Sequence, residues 1–110
     1  MVARRVVDLA EEKQARNITM LDLRELTSIA DYFVICTGDS DRQIRAILRD
    51  IEEGLEKEGV RVGRIEGTPE SGWVILDYGD VLVHIFSSEQ REFYKLERLW
   101  QRASTVVVVQ

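Results

Sequence analysis

Between Trp73 and Phe86 the chain reads WVILDYGDVLVHIF, two alternating β-prone runs around an Asp-Tyr-Gly-Asp turn. This pattern predicts a β-hairpin, and a hairpin constrains every residue in it because side chains alternate between two faces. With Tyr78 and Gly79 as a two-residue loop, Asp77 pairs with Asp80, Ile75 with Leu82 and Trp73 with His84. Val74, Leu76, Val81, Val83 and Ile85 then share a uniformly apolar face, which is core. The opposite face carries Trp73, Ile75, Asp77, Asp80, Leu82, His84 and Phe86, large apolar groups mixed with acids and an imidazole. Such a face is covered by another helix or offered to a partner, and a large exposed apolar patch usually marks the latter.

At 110 residues the chain is long enough for one domain with a real core. No apolar run approaches the ~20 residues a membrane span needs. The start, MVARR, has no apolar signal region behind it, so the expected location is cytoplasmic. Cys36 stands alone, which excludes an internal disulfide and a cysteine-built zinc site. A net charge of −5 argues against phosphate-backbone binding. It favours a basic protein partner, because complementary charge speeds encounter and suppresses wrong pairings.

Residues 2–15 place Val2, Val6, Leu9, Ala10 and Lys13 at helical spacing, with Asn17 as a stop. Residues 18–23 alternate weakly as a strand, and YFVIC at 32–36 is a continuous run suited to a strand buried on both faces. Ser40 and Gln43 have the spacing of a capping box. The helix that follows aligns Ile44, Ile47, Leu48, Ile51 and Leu55 on one stripe, with Gly59 just past its end. Residues 60–65 alternate as a strand, and 67–72 read as a loop. After the hairpin, Ser87 or Ser88 caps a last helix with Phe93, Leu96, Glu97 and Trp100 on one stripe and Tyr94 turned away from its centre. The valine run from 106 to 109 fits either a frayed tail or an added edge strand. The expected architecture is a single α/β domain, a five-stranded mixed sheet with three helices.

Chemistry-bearing motifs are sparse. Asp39 and Asp41 form the one arrangement resembling a metal-binding carboxylate pair. They flank a helix start, where carboxylates are stabilised by unpaired amides and the dipole, so capping is the preferred reading. His84 is the sole histidine and lacks a plausible nucleophile or further metal ligands. Cys36 has the setting of an inert buried thiol. The glycines are scattered and build no phosphate-cradling loop. Arg91, Lys95, Arg98 and Arg102 are interleaved with Glu89, Glu92 and Glu97, which favours a solvated face over an RNA contact. Trp100 sits at core spacing. Trp73, at a loop edge on the mixed face, fits a core residue or an interface anchor equally well. No residue is assigned a catalytic or metal-binding role, and no cofactor is expected.

Three ordered blocks, ADYFVICTGDSDRQIRAI, GWVILDYGDVLVHIF and REFYKLERLW, resemble those of the ribosomal silencing factor family, also called iojap-like proteins. The resemblance covers roughly residues 2–101. It places the family domain at 1–102 and leaves 103–110 as a tail without an assigned role. It implies a fold related to nucleotidyltransferases but without their catalytic residues, and a homodimer when free. It further implies binding to the fourteenth protein of the large ribosomal subunit, a block on subunit joining, and repressed translation under nutrient limitation. In organellar relatives it implies large-subunit assembly. Carried over by position, the partner surface comprises Trp73, Asp77, Tyr78, Gly79 and Tyr94. The mixed hairpin face adds Ile75, Asp80, Leu82 and His84. Asp39 stands where relatives often have a small uncharged residue, and Tyr78 where a leucine is common. The expected activity is steric occlusion, with Trp73, Ile75 and Leu82 filling an apolar recess and Asp77 and Asp80 meeting basic side chains. The alternative is a nucleotidyltransferase-like enzyme or ligand-binding domain using Asp39 and Asp41.

Overall fold

A computed structural model describes all residues from Met1 to Gln110. Helix α1 (Val2–Glu12) leads into β1 (Arg16–Asp22) and β2 (Tyr32–Gly38). Helix α2 (Asp41–Lys57) follows, then β3 (Arg64–Thr68), a single 3-10 turn at Pro69–Ser71, and the hairpin β4 (Trp73–Asp77) and β5 (Val81–Ser87). Two short helices, α3 (Ser88–Tyr94) and α4 (Leu96–Leu99), precede β6 (Ser104–Val109). The six strands form one sheet in the order β3-β4-β5-β2-β1-β6. Only β2 and β5 are parallel, so the sheet is mixed.

The helices cover the two faces unequally. Against one face, α1 and α2 bury Val6, Leu9, Ile44, Ile47, Ile51 and Leu55 over Val34, Cys36, Val74, Leu76, Val83 and Ile85. This is the uniformly apolar hairpin face, and it is core as expected. The other face holds a smaller cluster in which Leu96 of α4 lies with Phe33, Ile35 and Phe86, and Trp73, Leu82 and Trp100 pack at its margin. Helix α2 begins where its capping signal lies: the Gln43 N–H donates to Ser40 Oγ at 3.1 Å. The reciprocal arm differs from a strict box, because Gln43 Oε1 accepts from the Asp39 amide rather than that of Ser40. Gly59, at φ +84°, follows the C-cap Glu58.

Several elements depart from expectation. There are six strands and not five, because the Val106 to Val109 run forms β6 and pairs antiparallel with β1. Half-buried Val107 and Val109 extend the larger core, and β-branched residues suit that pleated, partly covered position. Helix α1 stops at Glu12, leaving Lys13 exposed, and Asn17 lies inside β1 at φ +49°. Residues 60–63 are not a strand. Position 64 already faces Asp77, the end of β4, and the Gly63 N–H donates to the Asp77 carbonyl at 2.8 Å, so residues before Gly63 run past the end of β4.

The hairpin register is displaced by two residues: Trp73 faces Phe86, Ile75 faces His84 and Asp77 faces Leu82. The turn is Gly79-Asp80, closed by the Tyr78 N–H donating to the Val81 carbonyl at 2.9 Å. Two-residue hairpin turns need positive φ at the first central position. Gly79 supplies it at +85°, whereas the expected loop would have put Tyr78 there. A shift of two leaves every side chain on its face. The last helix is broken at Lys95, which adopts φ +46° and ends α3. The expected stripe is broken with it: Leu96 is buried, but Phe93 is 75% exposed.

Replacing Ser40 by alanine removes the side-chain acceptor at the start of α2 and should cost ~1 kcal/mol. A chemical-denaturation midpoint equal to that of the parent would contradict this role for the cap.

Candidate functional site

The second face is only half covered. Leu96 of α4 and Trp100 pack on it over Phe33, Ile35 and Phe86, and Tyr94 of α3 lies over Trp73, while the rest of β4 and the exposed β3 stay open. The open part carries Ile75 and Asp77, both half-buried, bordered by Trp73 and Leu82. On β3, Glu66 faces Ile75, Arg64 faces Asp77 and Thr68 faces Trp73. Those three residues were not selected from the sequence, because residues 60–65 offered a strand displaced from the true one.

Trp73 is the best-defined member. Its Nε1–H donates to His84 Nδ1 at 3.2 Å. Its ring stacks on Phe86 at 4.9 Å and 27°, and Tyr94 lies over it at 4.4 Å. Trp73 is therefore held by hydrogen bonding and by rings on two sides while remaining only half-buried. Of the two sequence readings, full burial in the core is not what the structure shows, since part of the ring stays exposed.

His84 is 4% exposed and acts behind Trp73 rather than at the surface. Because Nδ1 accepts the indole hydrogen, the neutral ring carries its proton on Nε2. That Nε2 is buried without a hydrogen-bond partner, with the Phe33 ring 4.6 Å away between centroids. Burial pushes the imidazole down to about 4. Protonating Nδ1 would remove the acceptor on which Trp73 depends.

The remaining residues divide. Asp77 Oδ1 accepts the Gly79 amide at 2.8 Å, so one acid also shapes the turn. Gly79 and Asp80 are exposed at the tip, and Tyr94 is 44% exposed. Tyr78 is not on this surface. Its side chain lies against the helix-covered core, and burial together with the Glu52 charge pushes its hydroxyl up to about 12. As the residue that follows Asp77 it has the opposite parity. Phe93, expected in packing, stands exposed and edge-on to Tyr94 at 5.0 Å.

The carboxylate pair does not assemble into a site. Asp39 is engaged by Arg16 at 2.7 Å, and Asp41 is exposed in the first turn of α2. No group of three or more His, Cys, Asp or Glu side chains is arranged to hold a metal ion. Cys36 is fully buried, and burial pushes its thiol up to about 12, the setting of an inert group. No helix is long and apolar enough to cross a membrane.

Comparison with known proteins decides the family. The model described as "Ribosomal silencing factor during starvation" matches residues 1–110. The chain belongs to the ribosomal silencing factor family. It is 43% identical over 90 residues to the ribosomal silencing factor of Bacillus subtilis, covering 82% of this chain and 76% of that one. It is also 38% identical over 97 residues to the chloroplastic Iojap protein of Zea mays, covering 88% of this chain and 42% of that longer protein. A crystal structure from Chromobacterium violaceum superimposes with a TM-score of 0.87 at 29% identity, covering 99% of this chain and 90% of that one.

The depressed imidazole has a definite consequence for stability. In the unfolded chain a histidine takes its proton near pH 6.5, well above the folded value of about 4. The His84 contribution is therefore complete above about pH 6.5 and is lost as pH falls toward 4, on the order of 3 kcal/mol in all. Between pH 7 and 4.5 the parent should lose more stability in urea than His84→Asn does. An NMR titration placing the imidazole midpoint near 6.5 would contradict the assignment.

Proposed function

We propose that the protein represses translation by steric occlusion, binding the fourteenth protein of the large ribosomal subunit and blocking subunit joining under nutrient limitation. Family membership supports the ribosomal partner. The observation that carries the docking surface is the open part of the second face, where an apolar group of Trp73, Ile75 and Leu82 adjoins Asp77 and leads to the exposed tip at Gly79 and Asp80. In this reading Trp73 enters an apolar recess, with Tyr94 beside it, and the two acids meet lysines or arginines of an RNA-associated protein. His84 contributes from beneath by holding the indole. Tyr78 contributes through the turn and not by contact. The resemblance also supports a homodimer in the free protein, a cytoplasmic location and a fold relationship to nucleotidyltransferases without their chemistry.

The decisive experiment measures co-sedimentation of the purified protein with isolated large subunits, followed by the addition of small subunits. Trp73→Ala should remain folded, because the indole is only half-buried and lies outside the larger core. Loss of a central aromatic anchor costs ~2 kcal/mol or more, about a thirtyfold weaker complex. A folded Trp73→Ala protein that still sediments with large subunits at parental affinity would remove this surface from the interface.

The enzyme alternative has a separate test. Asp39→Asn combined with Asp41→Asn should leave subunit binding and the block on joining intact, with a small loss of stability from the α2 start and the Arg16 contact. A double variant that folds and binds large subunits but no longer blocks joining would restore the carboxylates to a functional role.

A further inference from the structure

Phe93 is 75% exposed, an unfavourable position for a phenylalanine on a well-anchored element. Its ring meets Tyr94 edge-on, at 5.0 Å and 90°. Tyr94 lies over Trp73 at 4.4 Å, and Trp73 stacks on the fully buried Phe86. The four rings form a continuous path from the core to solvent, and Phe93 is its outermost member.

Three features fix that member in place. Helix α3 leaves β5 without a linker, and Ser87 Oγ caps it by accepting the Gln90 amide at 3.1 Å. Two residues before Phe93, Arg91 is clamped by the Asn17 carbonyl, the Thr37 hydroxyl and the Glu97 carboxylate, at 2.6, 2.9 and 2.6 Å. Lys95, in its left-handed conformation, then ends α3, so Leu96 returns to the sheet while Phe93 stays outside. An aromatic side chain on so rigid a support loses little conformational freedom on docking. Phe93 is not a member of the smaller core.

We infer that Phe93 is a second anchor of the docking surface, inserted beside Trp73 into an apolar recess of the same protein partner. This rests on the repressor reading above. The occupant is a protein surface with cations at its rim and not an RNA base: Glu92 is paired with Lys95 at 3.1 Å, but Glu89 on α3 and Asp77 at the end of β4 make no ion pair within the chain, and the net charge is −5. Those carboxylates attract lysine and arginine and repel a phosphate backbone.

The test compares Phe93→Ala, Phe93→Leu and Trp73→Ala with the parent, by thermal unfolding and by co-sedimentation with purified large ribosomal subunits. Phe93→Ala should melt with the parent and bind on the order of tenfold more weakly, and Phe93→Leu should recover most of the loss. Parental binding by Phe93→Ala beside weakened binding by Trp73→Ala would overturn the second anchor and leave the repressor reading standing. Parental binding by both variants would remove that reading as well. A Phe93→Ala melt several degrees below the parent would make Phe93 a structural residue. Binding of the parent to deproteinised large-subunit RNA, lost in Phe93→Ala, would replace the protein recess with base stacking.

Discussion

The Arg91 guanidinium holds the second layer of this protein together. Its side chain is only 12% exposed, and it donates to the Asn17 carbonyl, to the hydroxyls of Thr37 and Thr19, and to Glu97. These partners lie on β1, β2 and the segment after the Lys95 break. One side chain therefore joins the C-terminal helices to the middle of the sheet. A cation at this depth is tolerable because its hydrogen-bonding directions are filled and a carboxylate balances its charge. Glu97 also fixes the geometry across the break, since Arg91 lies before Lys95 and Glu97 after it. Helix propensity alone would have continued α3 through this point, and tertiary bonding overrides it.

The rest of the second face follows from where that tie is made. Leu96 and Trp100 cover Phe33 and its neighbours and Tyr94 covers Trp73, which leaves the rest of β4 and all of β3 open. Phe33 and Phe86 are sealed, whereas Ile75 and Leu82 stay half-buried. Trp73 falls on the boundary, supported from within by His84 and Phe86 and from the helix side by Tyr94. An anchor held this way carries little rotamer entropy into a complex, which is the property a docking surface needs.

The faces of the hairpin were legible in the sequence because a strand has period two, and the two-residue error in register left every residue on its side. The register was not legible, because Asp-Tyr-Gly-Asp permits two loops and only the demand for positive φ at Gly79 separates them. The same parity places Tyr78 with the core, against the family-based selection. The capped start of α2 was visible in Ser40 and Gln43, whose local hydrogen bonds depend on spacing alone. The break at Lys95 left no trace, since neither glycine nor proline marks it, and Arg91 and Glu97 on its two sides are tied to each other and, through Arg91, to Thr19 and Thr37, more than fifty residues away. Phe93 was misplaced for that reason, a helical stripe being meaningful only while the helix continues. The strand at 104–109 was undecided because its partner is β1, at the far end of the chain.

The exposed aromatic path raises a question of solubility, since large apolar groups at a surface invite self-association. Charge supplies an opposing term. The chain carries −5 overall, and the unpaired Glu89 shares α3 with Phe93 while Asp77 ends the strand that Trp73 begins; Glu92 is balanced by Lys95. Two copies approaching through this surface would bring like carboxylates together as they buried their rings, whereas a basic partner would gain from both contacts. The acids are thus more than rim decoration: they set which surfaces can profit from the rings, attracting a cationic protein and opposing a phosphate backbone or a second copy of the same face. Selectivity of this kind needs no catalytic group, and it depends on the hairpin, which holds Trp73 and Asp77, and on the part-buried Arg91, which ties the helix bearing Glu89 and Phe93 to the sheet.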